Sequence, residues 1–334
     1  MTSLGTTFKG NTEITSFNEL GKFTGVTALG ENDNSAGHGS FTGCSSLKEL
    51  TLPRNCEVIG VEALANCTSL EKVNGFEKIK TIKNRACYNS LLSQDLRLDN
   101  VEGMIPYMAF YNTSIKSVYI GDKVTSLEHT NSAGQGVFGN CVQLRSVRIP
   151  ASLNIIGGAA FYNCTALKEI IGDMSGVTAI NSRAFAGCTS LEIADLSIPN
   201  LETIGDSAFS TTKIKKVSNL GNITTISGNV FNNCTELTEF TDPISNCTYE
   251  SKCFTNCTSL TKINIRDNEK WFRNTFKSDT ANPIRYAKNF YINDELVDTM
   301  KVPSDLTTIG NYVLWNWNGT TVDFGNSAIE TIGS

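Results

Sequence analysis

The chain has 334 residues, with 28 lysines and arginines against 33 aspartates and glutamates, a net charge of -5 and 40% hydrophobic residues. With no basic excess it has nothing to track a phosphate backbone, which sets nucleic acid aside as a partner. No apolar run approaches the ~20 residues of a membrane-spanning helix, and the start "MTSLGTTFKGNTEITSF" has neither the basic nor the apolar region of a signal peptide.

After this entry one pattern recurs: "GSFTGCSSLKEL", "GGAAFYNCTALKEI", "RAFAGCTSLEIA", "GNVFNNCTELTEF" and "SKCFTNCTSLTKI". Aligned on the cysteine, the anchors are Cys44, Cys67, Ser90, Thr113, Cys141, Cys164, Cys188, Thr212, Cys234 and Cys257. Their spacing is 22 to 24 residues, apart from 28 between Thr113 and Cys141. A fixed period of this length with leucines at set offsets signals a leucine-rich-repeat solenoid. In each copy Ala-Phe-x-x-Cys has the i, i+3 spacing of a short helical turn, with Phe and Cys inward. Leu-x-x-Ile-x-Ile follows and alternates as a half-buried strand. A proline ends that strand, and a second short run such as "LNIIG" adds two more apolar residues. Nine of the ten residues just before the anchors are Asn or Gly, which tolerate left-handed backbone and suit the exit from a helical turn.

The eleven cysteines follow this period. Ser90, Thr113 and Thr212 replace them at the same place, which a disulfide partner would not permit, so buried free thiols are expected. Cys247, Cys253 and Cys257 crowd one repeat, but neither His38 nor His129 is near them in sequence and no metal is expected. The "NCT" triplets at 66, 163, 233, 246 and 256 match a glycosylation pattern; they read mostly as by-products of the turn.

The phrases "FTGCSSLKELTLP", "FYNCTALKEI" and "LTTIGNYV" resemble the BspA-like leucine-rich repeat family, as do "ITSFNELGKFTGVTALG" and "NPIRYAKNFYINDELVDTMKVPSDLTTIG". The resemblance covers nearly the whole chain. It implies a right-handed, β-rich α/β superhelix of about eleven to twelve repeats, each with a short strand and a short helical turn. It implies a bacterial protein, extracellular or at the cell surface, that binds or adheres without catalysis. The family has no fixed functional residues to carry over. Residues 1–265 read as the regular array with its entry repeat, 266–301 as an irregular excursion, and 302–334 as resumed repeats, all in one continuous solenoid. Near the end Leu314 and Trp317 stand where Phe and Cys are due. The chain stops at "ETIGS", where the next anchor should begin, so a larger parent protein is expected.

The residues between the inward apolars should face out, and stacked strands about 4.8 Å apart would make them one extended surface. The candidates for partner contact on it are Lys72, Asp95, Arg97, Tyr119, Arg148, Ile171, Ile193 and Lys216; each reads equally as ordinary solvated sheet. Two repeats also carry near-identical insertions at the same phase, "NSAGHGSF" (34–41) and "NSAGQGVF" (131–138). These make His38 and Gln135 loop candidates, against the simpler account of one repeat variant copied by duplication. The three tryptophans lie in the divergent C-terminal part and suit either core packing or a stacking site.

With two histidines and no nucleophile, zinc or phosphate-loop motif, an enzyme is the least favoured class, and no cofactor is called for. The leading reading is a binding module for a host or bacterial surface protein or a glycan. The alternative is a structural spacer or scaffold in a larger bacterial surface or virion protein. A binder should present one contiguous aromatic or charged patch, and a spacer a dispersed polar face.

Overall fold

The computed structural model describes residues 2–30, 39–128, 135–243 and 246–333. They group into two compact units, Met1–Gly176 with Arg183–Ser190 and Val177–Ser182 with Leu191–Ser334. Each unit is a stack of repeat coils.

The coil around Cys141 shows how the sequence closes. Phe138, Cys141 and Leu144 are fully buried. The Cys141 amide donates to Phe138 O (3.2 Å) and the Leu144 amide to Cys141 O (3.0 Å), giving successive tight turns. The strand Ser146–Ile149 then sends Val147 and Ile149 inward and leaves Ser146 and Arg148 half-exposed. Pro150, lacking an N–H, ends it. A two-residue strand, Ile155–Ile156, buries Ile156 before the next turn.

The expected helical turn does not form. Phe161 and Cys164 do point inward, but Ala159 (φ +53°) and Asn163 (φ +56°) bracket the segment in the left-handed region, and an α-helix cannot continue through such residues. Among the described residues the α-helices are Asn268–Phe272 and Ile284–Ala287, both in the irregular stretch. The residue before every anchor has positive φ, from 54° at Asn112 to 78° at Gly187. A second left-handed position, five before the anchor, is filled by residues such as Glu62, Arg85, Met108 and Arg183. Each costs about 1–2 kcal/mol. Coil-to-coil hydrogen bonds offset that cost: Phe161 N donates to Ala184 O and Asn163 N to Ala186 O, both at 2.8 Å.

Stacking in phase puts like side chains over one another. In the first unit the rings of Phe110, Phe138, Phe161 and Phe185 stack at 5.4, 5.5 and 5.2 Å with planes within 10°. In the second, Phe209, Phe231 and Phe254 stack at 6.2 and 5.6 Å. The cysteine column is more than apolar filler. Each thiol donates to the phenylalanine carbonyl of the preceding coil: Cys141 to Phe110 O, Cys164 to Phe138 O and Cys188 to Phe161 O, all at 3.1 Å. Where Ser90, Thr113 and Thr212 replace cysteine, the hydroxyl donates to the carbonyl three residues back in its own turn, at 2.9, 2.9 and 2.8 Å. All eleven cysteines are free and buried. Asparagines beside the anchors form a parallel ladder, with Asn163 Nδ2 on Asn140 Oδ1 (2.6 Å) and Asn256 Nδ2 on Asn233 Oδ1 (2.8 Å).

In the first unit the outer strands form two parallel groups. One joins Ser16–Phe17, Glu49–Thr51 and Lys72–Asn74. The other joins Leu96–Leu98, Ser117–Ile120, Ser146–Ile149 and Glu169–Gly172. Between the groups the Gln94 side chain stands in for a strand backbone, accepting from Val73 N (2.7 Å) and donating to Val73 O (3.2 Å). In the second unit Leu196–Ser197, Lys216–Asn219, Glu239–Thr241, Lys262–Asn264 and Phe290–Ile292 run parallel. Glu295–Val297 then turns back antiparallel. Trp271 is fully buried, and its Nε1 donates to Val313 O at 2.9 Å; Trp315 is exposed.

Candidate binding surface

Strand register builds one compact cluster from the outward positions. In the four-strand group Arg97 lies opposite Tyr119, Tyr119 opposite Arg148, and Arg148 opposite Ile171. Four adjacent strands thus carry a row Arg97–Tyr119–Arg148–Ile171 about 14 Å long at strand spacing. The guanidinium carbons of Arg97 and Arg148 lie 4.1 and 4.7 Å from the Tyr119 ring centroid, each reaching from a flanking strand. This is cation–π geometry on both sides of one ring.

Turn residues hold both arginines. Arg97 grips Asp99 with two nitrogens, Nε to Oδ2 at 3.0 Å and Nη2 to Oδ1 at 2.7 Å. Those bonds hold the Asp99 carboxyl below its ordinary range. Arg148 donates to Ile120 O (2.8 Å) and pairs with Asp122 (2.6 Å). Ile171 completes the row with 48% of its surface exposed. Asp95, exposed two residues before Arg97, accepts from Ser117 Oγ at 2.7 Å.

The other candidates lie apart from this row. Lys72 is in the other strand group and pairs with Glu49 at 3.6 Å. Ile193 is half-buried in the short strand Glu192–Ile193, opposite Ile214; the inward position of that coil is taken by Leu196, opposite Val217, so the expected alternation is offset there. Lys216 belongs to the second unit, 3.1 Å from Glu239. Gln135 is exposed and accepts from the Tyr107 hydroxyl. His38 lies outside the described residues.

Two features escaped the sequence reading. Tyr88 and Tyr111 stack at 5.7 Å on the turn column, with Arg85 5.9 Å from the Tyr88 ring and 5.7 Å from the Tyr107 ring. Their signal was available: each tyrosine stands two residues before its anchor. The second feature is a polar trough of about 380 Å³ on the strand face of the second unit, lined among others by Lys216, Glu239, Asn264, Arg266, Asn293 and Asp294. Its wall is the hairpin turn at Asn293 (φ +50°) and Asp294 (φ +66°), two consecutive left-handed residues as a tight type I′ turn needs. Asp294 at the tip pairs with Lys262, which lowers the Asp294 carboxyl and raises the Lys262 ammonium. Glu239 accepts from Asn264 Nδ2 (2.6 Å) and lies 3.1 and 4.0 Å from Lys216 and Lys262. No repeat period marks the place of this hairpin.

Comparison with known proteins agrees with this architecture. The chain is similar to a leucine-rich repeat protein from Bacteroides ovatus, with 19% identity, 92% of this chain and 79% of that one covered, and a TM-score of 0.58. It is also similar to one from Eubacterium ventriosum, with 17% identity, 93% and 79% covered, and a TM-score of 0.45. No curated protein matches it in sequence. The model of the BspA type leucine rich repeat region matches in six copies over residues 13–131, 103–238 and 171–282. With coils of that kind, about twelve in all, the chain belongs to the BspA-type leucine-rich repeat family.

Proposed function

We propose that the protein is a non-catalytic binding module of a bacterial surface, and that it engages a protein partner through the row Arg97–Tyr119–Arg148–Ile171. The observation that carries this is the arginine–tyrosine–arginine stack ending in an exposed isoleucine. Tyrosine and arginine are the side chains most enriched among interface anchors, and an apolar neighbour supplies the area that becomes dry on docking. Asp99 and Asp122 hold the guanidinium groups in place before any partner arrives, which reduces the ordering entropy of association. Asp95 extends the same face. Membership of the family supports surface placement; no helix among the described residues is long and apolar enough to cross a membrane.

The test is quantitative capture of surface proteins by the full chain and by a Tyr119→Ala, Ile171→Asp variant of unchanged circular dichroism. A specific partner whose Kd rises at least about tenfold in the variant supports the site, since a tyrosine anchor contributes on the order of 2 kcal/mol. A partner bound equally by both removes the row from the interface. Failure to capture any partner with a folded chain favours the spacer reading.

A further inference from the structure

We propose that the trough in the second unit is a binding site for a carboxylate-bearing sugar. It shares no residue with the Tyr119 row, so either reading can fail alone.

The trough's volume, about 380 Å³, lies at the small end of the ~300–1,000 Å³ range of ligand pockets and suits one or two sugar rings. Its chemistry disfavours a protein side chain as occupant. Ile265, its one apolar lining residue, is buried and offers no dry anchor pocket. What it does offer is a set of planar amides and carboxylates: Asn264 and Glu239, bonded to one another, Asp294, held by Lys262, and Asn293 beside it on the turn. Neighbouring hydroxyls on a sugar ring each need one donor and one acceptor within reach, and such groups supply both.

The charges select the anion. Glu239 is shared between Lys216 and Lys262, and Asp294 is taken by Lys262. Arg266 is exposed at the trough edge, and among the described residues it has no ion-pair partner. At the trough two lysines and an arginine stand against two carboxylates; the buried Asp242, which Arg266 also acts on through space, lies outside the lining and is held by Tyr249 and Asn274. The cation left over is on the side chain whose planar fork matches a carboxylate. The hairpin tip adds adjustability: Asp294 competes with the ligand for Lys262.

The probes are methyl β-glucuronide and methyl β-glucoside, which differ only in the carboxylate. They are titrated into the full chain by calorimetry and by NMR of the asparagine side-chain amides. The glucuronide should bind at least about tenfold tighter than the glucoside, as expected for a charge-assisted fork, and shift the Asn264 and Asn293 amides. Arg266→Ala should abolish that preference. Asp294→Asn keeps a residue that tolerates the left-handed turn, frees Lys262, and should raise the preference for the glucuronide over the glucoside several-fold. Equal affinity for the two sugars, no binding of either, or a preference that survives Arg266→Ala would each overturn the proposal. So would a preference that Asp294→Asn leaves unchanged or lowers.

Discussion

Replacing Cys164 with alanine tests whether the cysteine column is a hydrogen-bond ladder or only a set of small apolar side chains. Cys164 is fully buried and its thiol lies 3.1 Å from Phe138 O. Removing the sulfur deletes about one methylene's worth of buried surface, near 1 kcal/mol, and leaves a small cavity that the stacked coils close only in part. Loss of the weak S–H bond adds about 0.5 kcal/mol. It adds no more, because Phe138 O keeps its bond from Cys141 N at 3.2 Å. The expected destabilisation is therefore about 2 kcal/mol, read as a shift of the urea midpoint. Threonine at the same place should cost less than alanine. Its methyl group refills the space, and its hydroxyl can donate to Phe161 O as Thr113 and Thr212 do to Phe110 O and Phe209 O. A threonine variant less stable than the alanine variant would refute this account, because it would mean the hydroxyl finds no acceptor in the turn.

Two further outcomes are expected. At Asn163, with φ of 56° and a side-chain bond to Asn140, alanine should cost about 1–2 kcal/mol in urea unfolding and glycine clearly less, since glycine takes the left-handed angle freely; equal costs would remove the backbone explanation. The second outcome concerns Asp242, which is buried, accepts from the Tyr249 hydroxyl and from Asn274 Nδ2 at 3.1 Å, and is pushed up by burial to about 7. Its unfolded value is near 3.9, so the folded chain holds this proton more tightly. The stability this contributes is full below pH 4, falls as pH rises to 7, and is gone above that. The amplitude is on the order of 4 kcal/mol, and unfolding curves of Asp242→Asn from pH 4 to 8 should lack that component.

What was legible followed from burial. Cys164, Phe161 and Leu167 recur because each inward position sees the same neighbours above and below, so their spacing carries the fold without any structure. The left-handed residue before each anchor was legible too, because Asn and Gly are the usual solution there. The second left-handed position was not: Glu62, Met108 and Ala159 hold φ near 53°, and their types carry no mark of it. A local turn bond accompanies that angle, as from Tyr162 N to Ala159 O (2.9 Å), but the flanking hydrogen bonds to the next coil, as from Phe161 N to Ala184 O (2.8 Å), exist only after stacking. The helical turn was misjudged for the same reason, since i, i+3 spacing fits a tight turn between two left-handed residues as well as it fits a helix.

The outward face obeys a different rule. A candidate there is defined by its side neighbours, and those depend on register. Tyr119 gains its two arginines because Leu96–Leu98, Ser117–Ile120 and Ser146–Ile149 pair without slippage. One coil earlier, Gln94 replaces a strand backbone and leaves Lys72 in another group. In the second unit the strand Glu192–Ile193 precedes the inward Leu196 and pairs Ile193 with Ile214. A shift of one or two residues hardly disturbs the apolar column, because the coil can absorb it in a turn, yet it decides which outward side chains meet. Repetition therefore makes the scaffold readable and leaves the site to be found where the repeat is imperfect. The hairpin at Asn293 and Asp294 follows that logic: it breaks the period, adds an antiparallel strand, and walls a polar trough on an otherwise open sheet.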